Sequence, residues 1–259
     1  MHIDISLARR FRLLVLVISV FTLANHATLA LASPGSTTWG ENVSGSGIIK
    51  KETRDMDHFT AISLNLPANV ELRQGNTENV TIETDDNLLP LIETVVEGGT
   101  LNIRLVQRNV SVRFNTLKII IEAKNINSLT TGSAGSIYAE NLRTSNLHVG
   151  IGGATTFRIK SLESESLTVA LDGSGTFEAG GRANKVSLAI DGSGSVEAAQ
   201  LSTKSVNINV AGAGKAVVWA KDTLSLNIAG AGDVKYYGDP KVSKSVTGAG
   251  SVTRLGSTP

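Results

Sequence analysis

Leu167-Thr168-Val169-Ala170-Leu171-Asp172-Gly173-Ser174-Gly175-Thr176-Phe177-Glu178-Ala179 is the stretch that decides the fold. Side chains of an extended strand alternate between two faces, so Leu167, Val169, Leu171, Gly173, Gly175, Phe177 and Ala179 form one inward set. Thr168, Ala170, Asp172, Ser174, Thr176 and Glu178 form the outward one. The same parity returns in Val186–Ala198, Val206–Val218 and Leu224–Tyr236. Its marker, two glycines separated by at most two small residues, occurs seven times between Leu129 and Arg254. Taken at their last glycines, the markers stand at Gly135, Gly153, Gly175, Gly194, Gly214, Gly232 and Gly250, in steps of 18, 22, 19, 20, 18 and 18. Their partners include Gly173, Gly192, Gly212, Gly230 and Gly248.

A period near twenty residues with no helical spacing inside it predicts an all-β fold, a right-handed parallel β-helix-like solenoid. Both glycines fall in the inward register. They mark either a sharp corner or a place where the opposite wall comes too close for a Cβ. Gly180–Lys185 and Lys221–Thr223 read as the short returns that close each coil. One coil alone buries too little apolar surface to offset its ordering entropy, so stability has to come from stacking. Self-association through the solenoid ends is a further expectation, because an open end is an unpaired strand edge.

Met1–Ala32 has the layout of a secretory signal: basic Arg9, Arg10 and Arg12, an apolar run from Leu13 to Leu23, and a small-x-small site at Ala30-Leu31-Ala32. Of 24 basic and 23 acidic residues it holds three and one, which leaves 21 and 22 and a mature charge near −1. That balance gives no electrostatic basis for binding nucleic acid. The chain has no cysteine, which excludes disulfides, thiolate metal sites, a cysteine nucleophile and a lipoprotein anchor. An exported, cysteine-free β protein fits the periplasm or cell surface of a bacterium.

Residues 33–47 read as a linker, and 48–127 as an N-terminal β-rich portion ahead of the repeat solenoid at 128–255. Within that portion Asp85-Asp86-Asn87 before Leu88-Leu89 predicts a single helical turn capped by Asp or Asn. Glu97-Gly98-Gly99-Thr100 predicts a hairpin. Leu117–Ile121, apolar on both faces, predicts a central strand.

Several ordered segments here carry a family resemblance: Arg54-Asp55, Phe59, Ile62, Pro67-Ala68-Asn69-Val70-Glu71-Leu72, Gln74-Gly75 and Asp85-Asp86-Asn87-Leu88-Leu89. With the later Gly-Ser-Gly and Gly-Ala-Gly repeats, Ile48–Leu255 resembles the DUF2807 family, also called the putative autotransporter adhesin head GIN domain. The resemblance implies a right-handed parallel β-helix-like domain in an exported bacterial protein. It brings no catalytic residues. An autotransporter also needs a membrane barrel of alternating ten-residue segments with aromatic girdles, and self-export through one is not expected here.

Candidate chemistry is sparse. Asp55, Asp57 and His58 stand close in sequence, and His148 stands apart; a solvated loop is the preferred reading of the first three. Asp172 and Asp191 are expected on adjacent coils, where they favour the turn rather than hold calcium. Glu178 and Glu197 stack, with Lys215, Asp233 and Lys235 as further outward charges. A polysaccharide lyase or hydrolase would need a convergent acid and base, for which Glu178, Glu197 and Arg182 are the best candidates. No Gly-x-Ser-x-Gly elbow is present. Ser174, Ser193, Ala213, Ala231 and Ala249, with Thr168, Ser187, Asn207 and Ser225, leave a flat, ridged exterior. The expected function is an exported, non-enzymatic binding or structural protein of the cell envelope, without a cofactor, whose partner is an envelope protein or a glycan. The alternative is a carbohydrate-active enzyme on the same scaffold.

Overall fold

The computed structural model describes residues 42–107 and 109–259. The expected signal, Met1–Ala32, and the first part of the expected linker lie outside them. The described chain is a β-solenoid of about 6 turns. Its body is five long strands that each wind round a coil: β11 (Gly135–Ile151), β12 (Thr155–Leu171), β13 (Thr176–Ile190), β14 (Ser195–Gly212) and β15 (Lys215–Gly230). Each lies parallel to the next.

Burial shows how one strand becomes a coil. In β12 the buried residues are Thr155, Phe157 and Ile159, then Leu162 and Ser164, then Leu167, Val169 and Leu171. The period-two rhythm skips a residue after Ile159 and after Ser164, so the chain bends at Lys160-Ser161 and Glu165-Ser166. With the glycine corner at 172–174 this gives three sides per coil. Each inward position becomes a column along the axis: Ile137, Phe157, Phe177, Val196 and Ala216 on the first side, Val149, Val169, Leu188, Ile208 and Leu226 on the third. The two phenylalanines meet edge to face, ring centroids 5.7 Å apart.

The N-terminal portion is the start of the same stack. β3 (Ala61–Leu64) and β4 (Ala68–Gln74) form the rung beneath β10 (Ser128–Thr131) and β11. Below them β7 (Thr100–Leu105) and β9 (Leu117–Ala123) continue in parallel. The stack then changes direction. β9 is flanked by antiparallel β5 (Asn79–Asp85), and β5 by antiparallel β2 (Ile49–Asp55). β7 ends the third side as a hairpin with β6 (Ile92–Glu97), turned by Gly98 and Gly99 at φ 57° and 76°. The outermost strand β2 carries Lys50, Lys51 and Glu52, charges that discourage edge pairing.

Two readings of this portion are corrected. The linker reading fails over its described residues, because β1 (Asn42–Ser44) pairs in parallel with β8 (Ser111–Arg113). Asp86 and Asn87 also hold Ser46. The helical turn exists as a 3-10 turn, Leu89–Leu91, but no side chain caps it. Asp85, Asp86 and Asn87 spend their side chains on residues 44–47 and Asn115 instead. Arg54 reaches the turn from β2 and donates to the carbonyls of Leu89 and Ile92.

At the far end β16 (Asp233–Tyr237), β17 (Lys241–Gly248) and β18 (Ser251–Gly256) complete the described rungs. There the aliphatic column of the third side takes Lys244 over Leu226. Stacking a second copy on this end would have to cover that charge.

The glycines form two columns, for two different reasons. A Cβ on Gly173, Gly192, Gly212, Gly230 or Gly248 would lie 2.5–2.7 Å from the carbonyl oxygen of the equivalent glycine one rung earlier. On Gly175, Gly214, Gly232 or Gly250 it would lie 2.4–2.7 Å from a branched aliphatic of an earlier rung, Ile151, Ile190, Val210 or Ile228. The obstacle is therefore the rung below and not the opposite wall. Gly194, in the second column, has looser contacts. Gly153 belongs to the first column, and Thr155 stands in the second, donating to Ser133 O at 2.7 Å. With 155 in place of 153 the steps become 20, 20, 19, 20, 18 and 18. Replacing Gly192 or Gly214 by Ala is expected to cost about 1–3 kcal/mol in urea unfolding, as overpacking of a tight site does. Gly75→Ala, with nothing within 4 Å of its new Cβ, should stay within about 0.5 kcal/mol of wild type.

Candidate functional site

The second side of the coil is the shortest of the three. A groove of about 1280 Å³ runs over it, lined by Gln74, Asn125, Asn127, Asn141, Arg143, Asn146, Ser161, Glu163, Glu165, Arg182 and Asn184 among others. Gln74 anchors one edge: its side chain donates to the carbonyls of Lys124 and Arg143 and accepts from Arg143 N–H. Ser164, buried beneath the groove, donates to Ser145 O and Ser166 O and holds the next corner.

Charges in the groove stack along the axis. Arg143 is in register with Glu163, and Glu163 with Arg182. Arg143 reaches the Glu163 carboxylate at 2.8 Å, and Arg182 bonds it from the other side. Arg182 above all, with Arg143 behind it, holds the Glu163 carboxyl below its ordinary range. Asn184 donates to Glu165 in the same fashion. The side-chain amides of Asn125, Asn127, Asn141 and Asn146 make no hydrogen bond among the described residues. The groove thus has two arginines balanced by two glutamates, and a set of uncommitted amide donors and acceptors.

The other candidate residues fall elsewhere. Glu178 and Glu197 are in register on the first side, in a hollow of about 570 Å³ with Tyr138, Arg158 and Lys160. Arg158 Nε binds Glu178 at 2.5 Å. Arg182 is on the second side, bonded to Glu163, so the three residues considered for acid–base catalysis do not converge. Asp172 and Asp191 sit on adjacent rungs at the glycine corner. His58 Nδ1 pairs with Glu78 at 2.7 Å, not with Asp55 or Asp57, and His148 is exposed on the third side. Among the described residues no group of three or more His, Asp or Glu is placed to hold a metal ion. The marker glycines line the corner and the lumen, away from the groove.

Sequence reading missed the groove because it took residues 180–185 and 221–223 as mere returns. A signal was available. Arg143, Glu163 and Arg182 recur at steps of 20 and 19, the steps of the rungs themselves.

Asp85 is the one charged residue fully buried among those described. It accepts from Gly47 N–H at 2.8 Å, Asn115 N–H at 3.1 Å and Asn115 Nδ2 at 2.7 Å. A Cβ on Gly45 would fall 2.3 Å from its carboxyl. Burial pushes its pKa up, and the donors, Asn115 foremost, more than reverse that, so the carboxyl stays below its ordinary value. The role is structural: it ties residues 45–47 to the base of the stack.

A stack of parallel coils with a polar groove along one side defines the described chain as a β-solenoid. The chain belongs to the family described as "Putative auto-transporter adhesin, head GIN domain" (DUF2807), whose model matches residues 58–240. Among solved structures it is similar to a putative adhesin of Bacteroides fragilis, at 25% identity and a TM-score of 0.77, covering 82% of this chain and 100% of that one. A putative lipid binding protein of Parabacteroides distasonis shares the fold at 24% identity and a TM-score of 0.72, over 83% and 100% of the two chains. So does a putative adhesin of Parabacteroides merdae, at 21% and 0.66, over 83% and 99%. No curated protein matches the chain. Family and neighbours are named as adhesins or binding proteins, and no helix among the described residues is long and apolar enough to cross a membrane.

The pKa direction at Asp85 fixes a pH dependence. A carboxyl whose folded pKa lies below its unfolded value of about 3.9 adds stability that is present above that pH and lost as pH falls through the folded value. Asp85→Asn is therefore expected to lower the thermal midpoint at pH 7 and to flatten its fall below about pH 4, read by circular dichroism.

Proposed function

We propose that this protein is a non-catalytic binding module of the bacterial cell envelope, exported by Met1–Ala32 to the periplasm or cell surface, and that it holds a glycan in the groove of the second side. One observation carries this reading. The groove joins a balanced set of charges, Arg143 and Arg182 against Glu163 and Glu165, to asparagine amides that have no partner among the described residues. Such a surface offers hydrogen bonds without net charge, which suits a hydroxyl-rich ligand better than a nucleic acid or an acidic membrane. The adhesin names of the family and its neighbours support the binding role. Against catalysis stands the geometry: Glu178 and Glu197 lie on the first side while Arg182 lies on the second, bonded to Glu163, so the candidate acid and base groups do not converge there.

Glycan-array binding by the mature protein, run beside a pull-down of envelope proteins, tests the proposal. Arg182→Ala is expected to weaken glycan binding roughly tenfold, equivalent to about 1.4 kcal/mol. Glu178→Gln and Glu197→Gln should leave it intact, with no polysaccharide cleaved. Cleavage abolished by those two changes would replace this reading with the enzyme, and capture of a protein without any glycan would replace the ligand class.

A further inference from the structure

The groove is lined as far as Arg182–Asn184, but the strand register carries its outward column further. The outward column of the second side continues rung by rung: Arg182 is in register with Ser202, Ser202 with Trp219, and Trp219 with Tyr237. Trp219 lies between Val218 and Ala220, both buried in the lumen, so its indole is on the outside, half-buried. Tyr237 follows one rung later, and the next position is Gly256, which adds no side chain over its ring. Lys221 Nζ stands 5.1 Å from the Trp219 ring centroid, an exposed contact that another group can displace. The coils here are 18 residues long where the earlier ones have 19 or 20. The residues removed come from the second side, where the inward rhythm passes from Ala220 straight to Leu224.

We infer that Arg143, Glu163, Arg182, Ser202, Trp219 and Tyr237 form one continuous track for a neutral, extended glycan lying along the solenoid axis. Hydrogen-bonding groups grip its hydroxyls at one end and aromatic faces stack on its C–H faces at the other. This rests on the groove being the binding surface and adds the ligand's class, direction and length. Rungs repeat at about 4.8 Å, close to the advance of one pyranose unit in an extended chain, so five intervals span about 24 Å. Each rung can thus meet one sugar, and affinity should grow with chain length until the track is filled. Charge supports neutrality: in the groove Glu163 and Glu165 offset Arg143 and Arg182, and Ser202, Trp219 and Tyr237 add no charge. Aromatic rings are scarce in this chain, and Phe59, Phe157 and Phe177 are fully buried. Placing Trp219 and Tyr237 together on the outside, on the column that the groove defines, is what points to a ligand.

The test uses the mature chain and neutral oligosaccharides of two to six residues from the gluco-, manno- and chito- series, with polygalacturonate as the acidic comparison. Binding is measured by calorimetry and by tryptophan fluorescence in a Trp39→Phe background, where Trp219 is the single reporter. The expected result is affinity rising with length, and a change in Trp219 emission with the hexamer but not the dimer. Trp219→Ala and Tyr237→Ser should each weaken hexamer binding roughly tenfold, leave dimer binding alone and keep the thermal midpoint. Trp219→Phe should restore most of the loss. If Arg182→Ala weakens binding at every length while Trp219→Ala and Tyr237→Ser do nothing, the track is refuted and the groove reading survives. Both fall if none of the three matters or no neutral oligosaccharide binds. A preference for polygalacturonate overturns the neutral class.

Discussion

The structure depends on one constraint, the backbone hydrogen-bond ladder that fixes each rung over the last. Parallel strands in register leave no freedom sideways, so whatever a residue is, its neighbours along the axis are the residues one coil before and one coil after. In the lumen this turns alternation into aliphatic columns. At the corner it turns a missing Cβ into a requirement, because the carbonyl of the preceding glycine already occupies that space. Gly212, Gly230 and Gly248 also take positive φ, which removes most other residues from those corners. The glycine repeat is thus a record of backbone packing between rungs. It carries no chemistry, and the groove lies on another side of the coil.

Much of this was legible in the chain itself. Alternation with period two and glycine pairs near every twentieth residue define a stacked β-coil, and hairpin chemistry at Gly98-Gly99 places β6 against β7. What escaped has physical reasons. Gly153 was matched to the wrong column because Thr155 keeps a Cβ where later coils have glycine; its hydroxyl reaches back to Ser133 O, so the site accepts it. The uneven steps of 18 and 22 were the trace of that substitution. Asp85-Asp86-Asn87 reads locally as a helix cap, yet its partners lie some 40 residues earlier, at 44–47, and in Asn115. Sequence adjacency gives no view of such contacts. The closing of the base by antiparallel β2, β5 and β6 was hidden for the same reason, since strand direction is set by pairing and not by composition.

The groove was hidden by its own economy. The first and third sides bury three inward residues each and announce themselves as apolar runs, while the second buries two, one of them often Ser or Thr, as at Ser164 and Thr203. Its outward residues are free of core duty and can vary. This division of labour is usual where a rigid repeat presents a variable surface. Here it confines polar variety to one strip and leaves the glycine corner and the lumen uniform.

Charge pairing on such a strip follows from the ladder as well. A lone arginine on one rung is about 4.8 Å from its counterpart on the next, close enough for like charges to repel and opposite charges to bond. Alternating Arg143, Glu163 and Arg182 is the stable order, and Glu165 beside it offsets the second arginine, so the groove has no excess charge to draw anions. Beyond Arg182 the column passes to Ser202, and where the coils shorten to 18 residues it passes to Trp219 and Tyr237. Polar ladder and aromatic end therefore lie on one line because the register that stacks them cannot shift.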